Sequence, residues 1–165
     1  MRVYAVYMTD ELLLRLLNPL VLFGWGALLL APRARVTRWW LESDVLPLVI
    51  GVLYLVKVGP HLPGLLGQYD TLAHITEALS LPGMMLAGWM HYLAFDFLVG
   101  RVILADSQRR GLPHLLVVPC LVLTFMLGPS GYLAYALVRL VSRRFLPPVA
   151  PLPPVAAAAA LSPSP

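Results

Sequence analysis

The chain has 165 residues, of which 59% are apolar and 12% charged, with a formal net charge of +4. Its mean hydropathy is +0.80. That balance is too apolar for an ordinary soluble domain and points to a small polytopic membrane protein. The positive charge is dispersed over loops and tail rather than gathered into a stripe with aromatics, so anionic lipid is the expected partner and nucleic acid is not.

The first apolar run, Leu12–Leu30, is long enough for a span, which needs about 20 residues. Asp10, Glu11, Arg15 and Asn18 interrupt its start, and no small-residue cleavage site follows, so it reads as a retained helix rather than a signal peptide. Arg15, Asn18 and Trp25 fall on roughly one face, which predicts that this face turns inward. Arg33, Arg35 and Arg38 follow in the first loop, and Trp39-Trp40 reads as part of an interfacial aromatic belt.

The second apolar run, Val45–Val58, predicts a short span over 45–60, with Lys57 snorkelling towards the headgroups. A short interfacial helix follows, capped by Asp70, with Leu72, Ile75 and Leu79 on one face.

The third span, 82–104, carries the costliest residues. Asp96 and Arg101 at mid-membrane cost roughly 5 to 7 kcal/mol, while the nine Leu, Ile, Phe and Val residues between Leu86 and Leu104 return about 3 to 5. At about 100° per residue, His91, Asp96 and Arg101 each point about 140° from the last. A helix with expensive groups on several sides is best placed at the centre of a bundle. Trp89, Tyr92 and Asp96 share a face, and Asn18 of the first span lies at the depth of His91. Arg101 is expected to pair with Asp106 or Glu42.

The fourth run, 115–138, is broken near its middle by Gly128-Pro129-Ser130, which predicts a helix interrupted at the level of Asp96 with a freed backbone carbonyl. Residues 147–165 hold seven prolines and an alanine run and no charge, the composition of a disordered tail. The fold class is therefore all-α: a polytopic four-transmembrane-helix bundle over 1–146, with one interfacial helix and a Pro/Ala-rich tail. Loops one and three carry five arginines on one face, which is read as cytoplasmic. The count on the other face is also five, with Arg2, Lys57, Arg139, Arg143 and Arg144.

Cofactor and metal chemistry find no support in the motifs. Cys120 stands alone, His61, His74 and His114 lie at or beyond span ends, and no phosphate loop, zinc motif or nucleophile elbow occurs. What the spans offer is acid-base chemistry at Asp96 and His91 in a dry cavity.

The run Asn18-Pro-Leu-Val-Leu, then Leu30-Ala-Pro32 and Thr37, then Trp89-Met-His91-x4-Asp96-Phe-Leu-x-x-Arg101 with Asp106, and Gly128-Pro129-x-Gly131 resembles the abscisic-acid-deficient-four-like membrane family. Plant members are implicated in forming neoxanthin from violaxanthin, an isomerisation of an epoxide to an allenic alcohol without net redox change. The resemblance implies a cofactor-independent isomerase of a carotenoid epoxide or related isoprenoid lipid, with Asp96 as proton donor and His91 as base. Asn18, Trp89, Tyr92, Arg101 and Pro129 would contact the substrate. The chain begins without a transit peptide, which suggests a bacterial-type cell membrane and another isoprenoid substrate. The alternative is a non-enzymatic carotenoid- or lipid-binding protein, or a structural component of a membrane complex. The oligomeric state is not readable from the residues.

Overall fold

The computed structural model describes residues 2–65 and 70–142, so the tail predicted over 147–165 lies outside the described residues. Among the described residues every regular element is helical: α1 (Arg2–Leu30), α2 (Arg35–Glu42), α3 (Val45–Val58), α4 (Leu72–Ser80), α5 (Pro82–Arg109), α6 (His114–Leu127) and α7 (Pro129–Ser142). A 3-10 turn at Gly59–His61 and one helical turn at Leu62–Leu65 extend α3.

Local chemistry explains the boundaries. Thr71, rather than Asp70, caps α4, its hydroxyl accepting from His74 N at 3.2 Å. Asp70 instead accepts from His74 Nδ1 at 2.8 Å. Pro82 opens α5 at a position where its missing N–H costs nothing. Gly111 closes that helix at a φ of 64°, which lets Leu112 N reach back to Ser107 O at 3.0 Å.

Among the described residues two helical segments, rather than the expected four, are long and apolar enough to cross a bilayer, Met8–Leu30 and Val45–Gly64; α5, with its charged and polar residues, is not one of them, and His114–Leu127 is too short. The second exceeds the expected 45–60 because the turns after Val58 continue the rod. Both show apolar outer faces, with Leu12, Leu16, Leu22, Leu48, Val52, Leu55 and Val56 exposed. Such a surface is what lipid solvates and water does not, which supports membrane association. Helix α5 is about 42 Å long at 28 residues, and it packs against α1, α3, α4, α6 and α7. It is the hub of the bundle, as the scattering of its polar residues requires.

The fourth run departs from the expected single interrupted span. Its two helices of 14 residues are each about 21 Å long and pack tightly on each other. Gly128, at φ 49° and ψ −104°, reverses the chain between them. The reversal brings Gly131 against Thr124 and Cys120, seven and eleven positions back. It also returns Tyr135 to the carboxyl end of α5, where its hydroxyl donates to Asp106 Oδ2 at 2.8 Å. A straight continuation past Pro129 would carry Tyr135 away from Asp106. Residues 114–142 therefore form an antiparallel helical hairpin, with its tip beside Asp96 and both ends at the level of Asp106.

Three smaller expectations also change. Arg15 does not turn inward; it is exposed and pairs with Glu11 at 3.0 Å, while Trp25 on the same helix is buried against Phe97 and Phe125. Lys57 does not snorkel, because Asp10 on α1 is close enough to hold it in an ion pair. Trp40 is buried, edge-on to Phe97 and Phe23, because Thr37 donates to Ala31 O at 2.5 Å and Ala27 O at 3.0 Å and so folds α2 back onto α1; only Trp39 faces outward. Helix α4 packs through Ala78 against Val58, Met84 and Ala87, leaving Leu72 and Leu79 exposed.

Candidate functional site

One side of α5 carries a continuous row of polar and aromatic groups. Trp89, Tyr92 and Asp96 repeat at the three- and four-residue spacing that aligns side chains along a helix. Trp89 Nε1 donates to Asn18 Oδ1 of α1 at 3.1 Å, and its ring stacks on Tyr92 with centroids 5.7 Å apart and planes 25° from parallel. Tyr92 in turn brings its hydroxyl to the Asp96 carboxylate. Asn18 precedes Pro19, which stays within α1 and leaves one backbone carbonyl without its helical donor.

The row ends under the hairpin tip. Asp96 is 9% exposed, and its Oδ1 would lie 2.9 Å from a Cβ placed on Gly128. Only a glycine lets the turn seat that closely on the carboxylate. Asp96 Oδ2 is buried and has no hydrogen-bond partner among the described residues. Buried carboxylate oxygens are normally satisfied, so this one marks a place where another group belongs. Pro129 follows directly at the start of α7 and is exposed.

The structure brings Asn18, Trp89, Tyr92 and Asp96 together, with Pro129 beside the tip. It does not bring His91 or Arg101 to them. His91 is exposed on another side of α5, stacked on Phe95 at 4.5 Å and 5.9 Å from the Tyr54 ring, consistent with the 140° separation expected for these positions. Arg101 is buried but bonds neither Asp106 nor Glu42. Its guanidinium donates to Asp44 Oδ1 at 3.1 Å and to Leu41 O at 2.5 Å, so it ties α5 to the junction of α2 and α3.

Asp106, past the apolar part of α5, has other company. Arg110 donates to it at 2.7 Å and Tyr135 at 2.8 Å, with Arg139 at 3.6 Å and Arg109 at 3.8 Å. Burial alone would push this carboxyl up, but the hydrogen bonds from Arg110 and Tyr135 and the two nearest positive charges outweigh it and hold it below the usual carboxylate range. The cluster fastens the open end of the hairpin to α5 and so fixes where its tip lies. Sequence reasoning missed Asp44, Gly128 as a reversal, and this cluster; the small residues Thr124 and Gly131, placed evenly about the tip, were the available signal.

Among the described residues no group of three or more His, Cys, Asp or Glu side chains is arranged to hold a metal ion. Cys120 is buried, its thiol directed to Leu116 O at 3.7 Å. The row beside Asp96 therefore presents a carboxyl group with one open oxygen, a phenol, an amide and an indole. Such a set can bind an oxygen function and pass a proton, and its flat rings suit an unsaturated or cyclic apolar body.

The family model described as ABA DEFICIENT 4-like matches residues 12–135, a stretch that contains every residue of the row and the hairpin tip. No curated protein matches the chain. No solved structure matches it either.

Proposed function

The chain belongs to the ABA4-like family, and from that premise we propose that it is a multi-pass membrane protein that isomerises an oxygenated isoprenoid lipid, a carotenoid epoxide or a close relative, in the row beside Asp96. In this reading α1, α3 with its extension, and α5 cross the bilayer, while the hairpin α6–α7 enters from one face and returns to it. Backbone that leaves helical geometry at membrane depth is tolerated where protein surrounds it, and the tip at Gly128 is buried on α5.

The observation that carries the proposal is the open Asp96 Oδ2 under that tip. Opening an epoxide to an allenic alcohol needs one proton delivered to the ring oxygen and one removed from the adjacent vinylic carbon. A single carboxyl group balances that exchange: one oxygen gives its proton as the carbon–oxygen bond breaks, and the other takes the carbon-bound proton, leaving the acid as it began. This assigns both roles to Asp96, with Tyr92 orienting it and Asn18 and Trp89 holding the substrate body. His91 then stands outside the chemistry.

The test is direct. Purified protein incubated with a xanthophyll epoxide is expected to yield an allenic isomer of unchanged mass, and Asp96→Asn to lower the rate by about 100-fold or more. Full activity in Asp96→Asn with loss in His91→Ala would move the chemistry to the other side of α5. A holding role without turnover is favoured by the Trp89–Tyr92 stack alone, and it predicts pigment that copurifies unchanged.

A further inference from the structure

The face that carries the ends of the hairpin has a cavity of about 140 Å³ between the loop after α1 and the turn after α5. Its walls are held in place by bonds across the two segments: Gln108 donates to Pro32 O at 2.8 Å, and His114 Nε2 donates to Leu29 O at 2.9 Å. One water takes about 30 Å³, so the space suits a larger polar group. Arg33 lines it and makes no ion pair among the described residues.

The charges nearby do not cancel that arginine. Arg35 and Arg38 on α2 are exposed and equally without an ion pair among the described residues, whereas the acidic groups of this face are Asp106, occupied by Arg110 and Tyr135, Asp44, paired with Arg101, and Glu42 at the far end of α2. The surroundings are also apolar in a particular place. Leu115, 83% exposed, directly follows His114 of the cavity wall, Leu30, 87% exposed, lies two positions before Pro32 of that wall, and Trp39 projects from the basic face of α2. A cationic recess flanked by bare leucines matches an amphiphile rather than a free ion.

We infer that this cavity is a binding site for an anionic phospholipid, with the phosphodiester at Arg33 and the acyl chains over Leu30 and Leu115. The inference rests on the membrane reading given above, and it assigns the site a role separate from Asp96. Each basic group near a membrane surface contributes about 1 kcal/mol to such attraction, or about fivefold in affinity.

The test uses the full chain in dodecyl maltoside, with bound lipid counted by native mass spectrometry. Dioleoylphosphatidylglycerol is expected to bind at least fivefold more tightly than dioleoylphosphatidylcholine. Arg33→Gln is expected to lower phosphatidylglycerol binding about fivefold, and Arg33→Lys to retain most of it. Arg15→Gln, which removes an exposed arginine paired with Glu11, is expected to change nothing. Equal binding of the two lipids, or an Arg33→Gln variant that binds phosphatidylglycerol normally, overturns the inference. So does inorganic phosphate binding as tightly as the lipid, since the site would then recognise a free anion. Extraction of cell membranes with alkaline carbonate separates the two levels: release of the chain refutes the membrane reading itself, whereas retention without lipid preference refutes only this site.

Discussion

Gly131→Ala is the sharpest test of the hairpin. A Cβ on Gly131 would meet Thr124 N, Thr124 Oγ1 and, at 2.5 Å, Cys120 O. Ordinary contact begins near 3.4 Å, so α6 and α7 must separate by about 1 Å at that level. The obstructing groups are mainly backbone and cannot rotate aside, and the single-residue turn at Gly128 prevents the helices from sliding. Overpacking of this kind costs about 1–3 kcal/mol, and the rigid neighbours favour the upper end, roughly a hundredfold in the folding equilibrium. Gly26 in α1 supplies the control, because nothing lies within 4 Å of its Cβ position and replacing a helical glycine by alanine gains up to about 1 kcal/mol. The assay is unfolding in mixed micelles by increasing dodecyl sulfate, followed by circular dichroism. The two substitutions are expected to shift the midpoint in opposite directions. If Gly131→Ala unfolds with Gly26→Ala at or above the wild-type midpoint, the close antiparallel contact does not exist.

Three further outcomes follow from the polar contacts. Asp44→Ala is expected to destabilise the protein more than Arg101→Leu in the same micelle titration, by up to about 1 kcal/mol, because the first leaves a guanidinium buried on α5 with only its bond to Leu41 O and the second removes that charge altogether. Asp106 has a folded pKa below its ordinary 3.8, so its contribution to stability is complete above that value and is lost as the pH falls through the lower folded value. Unfolding midpoints measured from pH 7 down to pH 3 should therefore drop below about pH 4 in the wild type, while Asp106→Asn begins lower and shows a smaller decline. Thr37→Val is expected to cost about 1–2 kcal/mol and to increase quenching of Trp40, since the hydroxyl that holds α2 on the last turn of α1 is gone.

The parts of the fold that periodicity controls were legible. Apolar runs located α3, the end of α1 and the start of α5, while α1 begins at Arg2 rather than near Leu12; of the polar residues spread around α5, Asp96 and Arg101 are covered by neighbours and His91 is exposed. The alignment of Trp89, Tyr92 and Asp96 was readable for the same reason. What failed depended on direction in three dimensions. A Gly-Pro pair announces a break but not its angle, so the sequence reads as an interrupted span where the chain in fact reverses at Gly128 and returns Tyr135 to Asp106. Counting along the spans pairs Arg101 with Asp106 or Glu42, whereas the fold of α2 presents Asp44 instead. The Trp39-Trp40 pair reads as an interfacial belt, but the Thr37 hydroxyl folds α2 back and buries Trp40.

The hairpin also alters the arithmetic of sidedness. In the proposed topology of three spans and a hairpin, the segment that returns to the face it left contributes nothing to the parity of crossings, so Met8 and Ser142 lie in different compartments. Arg139 then joins Arg33, Arg35, Arg38, Arg109 and Arg110 instead of opposing them, and the near tie in basic residues becomes a clear excess on one face. A reporter fused after Ser142 should share its compartment with the loop at Arg33, whereas four true spans would have put it on the opposite side.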